Sequence, residues 1–234
     1  MNAIIAMTKR IIPAIATRGR ILTMLVMAAA GIAVAALLRN DGVETGDLSL
    51  FVSTFGLSLL VPVIALVIST AALGSLVEDK TLVYFWLRPQ GRWKITAAAF
   101  LAGLVVLVPL ILIPMGVLGA VAGSSLVTGS LAGAVVGLIG YTSVFTMLGL
   151  FTQRALVWGL LYVFIWEGLI AGFSRGAGWL AISTYANGAM SRVGDLPDLI
   201  DQPPELSTVL IVIVSVVVAC FGITTWRLNA MTVD

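Results

Sequence analysis

The chain has no histidine, one cysteine and few charges, Asp, Glu, Lys and Arg together making up 10% of its 234 residues. Without histidine there is no imidazole metal site and no Ser-His or Cys-His nucleophilic pair. A single cysteine, Cys220, leaves no thiolate cluster and no internal disulfide, and its place in an apolar run marks it as packing filler. No Gly-x-x-x-x-Gly-Lys-Ser/Thr occurs, so the chain has no phosphate-cradling loop of its own. The acids Asp195, Asp198, Asp201 and Glu205 lack the ligand spacing and the glycine of a calcium loop, and no metal site is expected.

What is abundant is apolar sequence. Hydrophobic residues make up 60% of the chain and the mean hydropathy is +1.11, far above a soluble domain. This is the composition of an integral membrane protein. Six runs reach the length needed to cross a hydrocarbon core of about 30 Å: Ile21 to Leu38, Leu50 to Val77, Ile95 to Ala122, Leu131 to Phe151, Leu156 to Ala171 and Ser207 to Thr225. They are continuous and rich in Leu, Val, Ala and Gly instead of alternating, which selects helices over a β-barrel. The expected fold is all-α, a single transmembrane domain over residues 1–234 with six spans.

Orientation follows from Lys and Arg beside the spans. With the N-terminus inside, Lys9, Arg10, Arg18, Arg20, Lys80, Arg88, Arg92, Lys94, Arg154 and Arg227 are cytoplasmic, and Arg39, Arg175 and Arg192 are external. Ten against three places both termini in the cytoplasm. A cleavable signal peptide is the competing reading of the first 35 residues, because basic residues precede an apolar run that ends in Ala33-Val34-Ala35. The 20-residue lead and the length of the run weigh against it. That lead, residues 1–20, sets Ile4, Ile5, Ile11, Ile12 and Ile15 on one helical face with Lys9 and Arg10 mostly opposite, as an amphipathic interfacial helix does, and Pro13 is expected to kink or divide it.

Within the spans, Pro62, Pro109 and Pro114 predict kinks or local breaks. Gly129, Gly133, Gly137 and Gly140 form a small-residue stripe suited to close helix approach, more readily within the bundle than at a dimer seam. No internal repeat or inverted symmetry is visible.

The densest departure from apolar monotony is Glu78 to Lys94, EDKTLVYFWLRPQGRWK. Val77 to Leu87 reads as a short helix with apolar residues on most faces, ended by the turn Arg88-Pro89-Gln90-Gly91. One reading is a basic loop with an aromatic belt; the other is a helix that inserts into a partner's groove. Its pattern resembles the membrane subunits of type-2 ABC exporters, which often carry an acidic residue, Thr-Leu, a short apolar helix and a Pro-x-x-Arg turn after the second span. Here these are Glu78, Thr81, Leu82, Pro89 and Arg92, with Lys80 where many relatives have glycine. The resemblance extends loosely over nearly the whole chain through the six-span layout.

The resemblance implies that residues 78–94 are the cytoplasmic coupling loop, with Glu78, Thr81, Phe85, Trp86, Arg88 and Arg92 contacting a separate ATPase. Two ATPase copies would bind the ATP and Mg, and a second permease, identical or homologous, would complete the complex. The chain itself would hold no cofactor and no catalytic residue. It also implies that the second and fifth spans line the path. Phe51, Phe55 and Ser58 form a stripe on the second, and Trp158, Tyr162 and Trp166 an aromatic face on the fifth. Such surfaces suit an amphiphilic, drug-like or lipid-like substrate, and the implied location is the bacterial inner membrane. Nucleic acid is not an expected partner.

Glu167 is the one ionisable residue well inside a span, where a charge costs at least about 2.5 kcal/mol at mid-bilayer. Two roles stay open: satisfying backbone amides where the span ends, or serving as an outer gate or substrate contact. Residues 172–206 between the last two spans are expected to form short external helices dipping into the outer leaflet, followed by an exposed acidic turn. The alternatives to an exporter permease are a secondary transporter or a membrane scaffold using Glu167. An intramembrane enzyme would need paired acids, histidine or an activated serine.

Overall fold

The computed structural model describes residues 2–78, 91–152, 154–171, 178–196, 199–200 and 202–230. Among these every regular element is helical. A short helix α1 (Asn2–Ile15) leads into α2 (Arg18–Asn40). The second hydrophobic run is one continuous helical rod of three parts, α3 (Thr45–Phe51), a π-helical segment π1 (Val52–Leu60) and α4 (Val61–Glu78). Then come α5 (Trp93–Ala122), α6 (Leu126–Phe151), α7 (Ala155–Leu161) continuing into a second π-helical segment π2 (Tyr162–Ile170), α8 (Ile182–Val193) and α9 (Leu206–Ala230).

Five helices among the described residues are long and apolar enough to cross a membrane: Arg18–Asn40, Thr45–Gly74, Trp93–Ala122, Leu126–Phe151 and Leu206–Ala230. The expected fifth span differs. It is the shorter apolar helix Ala155–Ile170, with 7 α-helical and 9 π-helical residues, and so is at most about 24 Å long at 1.5 Å per residue.

The helices alternate in direction, so the loops gather at two ends. At one end the Arg92 guanidinium donates to the Leu228 carbonyl, Arg227 lies 5.6 Å from the Phe151 ring centroid, and the Thr8 hydroxyl reaches the Ala98 carbonyl at 3.4 Å. The cations Lys9, Arg10, Arg18, Arg20, Lys94 and Arg154 belong to the same end by chain continuity. At the other end Arg39 donates to the Val121 carbonyl at 2.6 Å, capping the C-terminus of α5 where a cation is favoured, and Arg192 donates to the Pro203 carbonyl at 2.9 Å.

The core is built around α6, which packs against α4, α5, α8 and α9. Tyr141 and Phe145 are fully buried on it and stack with centroids 5.7 Å apart. In an apolar solvent, tight packing of small residues replaces the hydrophobic drive, and the glycine stripe of α6 supplies it. The partner on that stripe is α8. A Cβ on Gly129 would stand 2.7 Å from the Met190 carbonyl oxygen, one on Gly133 2.7 Å from that of Ala186, and one on Gly140 2.8 Å from Ile182 Cγ2. Thus α8 runs antiparallel to α6 from near its middle, at Gly140, to its end at Gly129. Within the segment expected as short helices dipping into the outer leaflet, Ile182–Val193 is a single helix packed along α6.

Two other expectations gain detail. The helix α1 buries Met7, Ile11 and Ile15 against α5 and α4 and leaves Ile5 half exposed, so its apolar face docks on protein. Pro13 lies inside it without ending it, and α5 likewise continues through Pro109 and Pro114. At Pro62 the helix widens. The proline ring crowds the carbonyl four residues back and offers no N–H, and the turn before it is the π1 segment, in which Val61 N–H bonds the Gly56 carbonyl five residues back.

Replacing Gly133 by Val should therefore cost about 1–3 kcal/mol or more, since the obstructing Ala186 carbonyl is backbone and cannot turn away. Gly19 has nothing within 4 Å of its missing Cβ, and Gly19→Ala should leave stability unchanged or raise it slightly, alanine being the better helix former. Thermal unfolding of the purified protein in detergent, followed by circular dichroism, separates the two.

Candidate functional site: a carboxylate at a buried helix start

Glu167 sits on π2 and is buried. Its partners come from three elements. The Tyr141 hydroxyl of α6 donates to Oε2, the Tyr162 hydroxyl donates to Oε1 at 2.9 Å, and the Ile182 backbone N–H donates to Oε1 at 2.9 Å. Tyr141 lies near the middle of α6, so the carboxylate is at mid-depth in the bundle.

The need for it follows from α8. A helix leaves its first N–H groups without intrahelical partners, and a buried N–H left unpaired is costly. The residue at the N-cap position is Ala181, whose side chain cannot accept, and no side-chain cap is formed from that residue. Glu167 supplies the acceptor from another helix and sets a carboxylate at the positive end of the α8 dipole. Three donors converge on an acceptor-only group, which is the inventory of a carboxylate. Chemically the arrangement is a structural cap.

The π register makes the cluster possible. Tyr162 and Glu167 are five residues apart, which in an α-helix is about 140° around the axis, but with i→i+5 hydrogen bonding they share a face. Tyr162 also meets Phe145 edge-on, with centroids 6.4 Å apart, which continues the Tyr141–Phe145 stack. Of the fifth-span aromatic face, then, Tyr162 turns to the interior and is half-buried, Trp166 is half-buried, and Trp158 is exposed.

The second-span candidates divide as well. Phe51 and Phe55 stack with centroids 5.4 Å apart and planes at 3°, and Phe55 packs over Gly31 of α2, leaving no room for a Cβ there. Ser58 instead joins a polar group that sequence reading missed. Its hydroxyl donates to the Ser53 carbonyl at 3.2 Å, and Asn187 of α8 bridges the pair, accepting from the Ser53 hydroxyl at 2.9 Å and donating to Ser58 Oγ at 3.3 Å. The spacing of Ser53 and Ser58 is the only trace in the sequence. The π1 and π2 segments touch, and Gly159 of α7 packs on Leu66 of α4, so the second and fifth hydrophobic runs are neighbours.

Of the coupling-loop candidates, Arg92 is described with its side chain, bonded to the Leu228 carbonyl at the C-terminal end of α9. Only the backbone of Glu78 is described, as the last residue of α4. Thr81, Phe85, Trp86 and Arg88 lie outside the described residues. Among the described residues no group of three or more His, Cys, Asp or Glu is placed to hold a metal ion. No family model matches the chain, and no curated protein matches it.

Replacing Glu167 by Leu strands the Ile182 N–H and two tyrosine hydroxyls, each unpartnered group costing about 1–3 kcal/mol. The expected loss is at least about 3 kcal/mol in unfolding experiments, and Glu167→Gln, which keeps one acceptor, should lose less. Adding Tyr141→Phe and Tyr162→Phe to Glu167→Leu should recover part of the loss, because the hydroxyls are then no longer stranded.

Proposed function

We propose that the chain is the membrane-spanning permease subunit of an ATP-driven exporter, working by alternating access with a separate ATPase and moving an amphiphilic or hydrophobic compound. The observation that carries this reading is the Glu78 to Lys94 island, whose Glu-x-x-Thr-Leu and Pro-x-x-Arg pattern resembles the coupling loops of type-2 ABC exporters. Its setting supports it. The island joins α4 to α5 at the end of the bundle where most described cations collect, the end that the positive-inside rule assigns to the cytoplasm. On that assignment both termini are cytoplasmic and α8 occupies the outer half.

The apolar helices support the membrane setting, five of them long enough to span and a sixth shorter. The chain lacks a P-loop, so an ATP-driven cycle requires ATP and Mg on a partner, in two copies facing a permease dimer. The second and fifth hydrophobic runs, adjacent in the fold, are the proposed path walls, with Phe51, Phe55, Ser58, Trp158, Tyr162 and Trp166 as contacts. Glu167 is proposed to hold the outer half closed through its hold on α8.

The test is co-purification. The tagged chain expressed in its native host should bring down an ATPase whose hydrolysis the permease stimulates, and Phe85→Ala with Trp86→Ala should reduce that association at least about tenfold. Retention of the ATPase and of stimulated hydrolysis by the double variant would remove the coupling assignment.

A further inference from the structure

Both π segments are fastened to the same helix, each through a polar pair five residues apart. On π2 the pair is Tyr162 and Glu167, which meet each other and the first N–H of α8. On π1 the pair is Ser53 and Ser58, which meet each other and the Asn187 amide one and a half turns further along α8. In an α-helical register the members of each pair would stand about 140° apart, and neither could reach its partner on α8 as a unit. A π turn is otherwise a poor choice for a helix in lipid, and such segments are rare and gather at functional sites.

We propose that Asn187 is a positioning residue that clamps π1 in its i→i+5 register. Its amide fits the task because it both accepts and donates, taking the Ser53 hydroxyl on Oδ1 and offering Nδ2 to Ser58. The Ser58 hydroxyl then closes the turn on the Ser53 carbonyl. Pro62 opens the register by excluding the α-helical bond at that point, and Asn187 holds it open. Removing one residue's worth of π turn would rotate one side of the rod by about 100° against the other. Asn187 therefore sets whether Phe55 faces Gly31 and whether Ser53 and Ser58 face α8, which fixes the side chains that the second span shows to its neighbours. The clamp rests on the chain's own contacts and stands whether or not the chain is an exporter subunit.

Hydrogen–deuterium exchange by mass spectrometry on the full chain in lipid nanodiscs tests it. Asn187→Leu should speed exchange across Val52–Leu60 about tenfold and leave Tyr162–Ile170 within about twofold of the original protein. Ser53→Ala with Ser58→Ala should produce the same selective acceleration, and combining it with Asn187→Leu should give clearly less than the sum of the two, because the Asn187 bridge is lost only once and the Ser58 bond to the Ser53 carbonyl is the single further loss. Asn187→Gln, which keeps the amide, should restore most of the protection. Equal acceleration of both π segments, no acceleration of Val52–Leu60, or additive effects of the two sets would overturn the proposal. Should Asn187→Leu fail to fold, the serine pair decides alone: selective loosening of Val52–Leu60 supports the clamp, and unchanged exchange there rejects it. Failure of the coupling-loop variants to release an ATPase would leave this outcome untouched.

Discussion

The hydrogen bond from the Ile182 amide to Glu167 is the contact on which the half of this bundle that holds α8 depends. A helix cannot begin in the apolar middle of a bundle unless its first N–H groups find acceptors, and α8 begins there because the fifth hydrophobic run carries a carboxylate to that level. Once α8 is admitted, its small residues Ala186 and Gly188 let it lie along the glycine stripe of α6 and against Pro204 at the start of the last hydrophobic run. Without the cap, that start would carry unpartnered donors in place of a packed interface.

The two π segments extend the same constraint to the neighbouring helices. Each brings a pair of polar side chains five residues apart to one face, and each face is turned to α8. The half that holds α8 is therefore a small set of polar contacts in an apolar setting, where an unsatisfied group is costly and geometry is correspondingly specific. The end where the cations collect is organised differently, by cations on helix ends and rings: Arg92 on the Leu228 carbonyl and Arg227 beside Phe151.

Much of this was legible in the sequence, for identifiable reasons. Long apolar runs report helices directly because backbone satisfaction in lipid leaves little choice, so the runs from Ile21, Leu50, Ile95, Leu131 and Ser207 fall within the observed long helices or overlap them closely. The glycine stripe was visible, and so was the oddity of Glu167. What stayed hidden was partnership. Tyr141 and Ile182 are 26 and 15 residues from Glu167, and no local pattern joins them. The segment of α8 reads as short external helices because Ser183, Thr184, Asn187 and Arg192 dilute its hydropathy, whereas what places it along α6 is the fit of its small residues to glycine. The π register was hidden too, since periodicity arguments assume 3.6 residues per turn; Pro62 predicts a kink or local break, and the form it takes is a widened turn.

The most direct measurement is thiol accessibility along α8 in the bilayer. With Cys220 replaced by Ala, single substitutions Ile182→Cys and Arg192→Cys are exposed to a membrane-impermeant maleimide from both faces of the membrane. A re-entrant helix capped at mid-depth predicts rapid labelling at position 192 and protection at position 182 until the protein is unfolded. Equal labelling at the two positions would mean that α8 lies on the surface and that Glu167 does not hold its start.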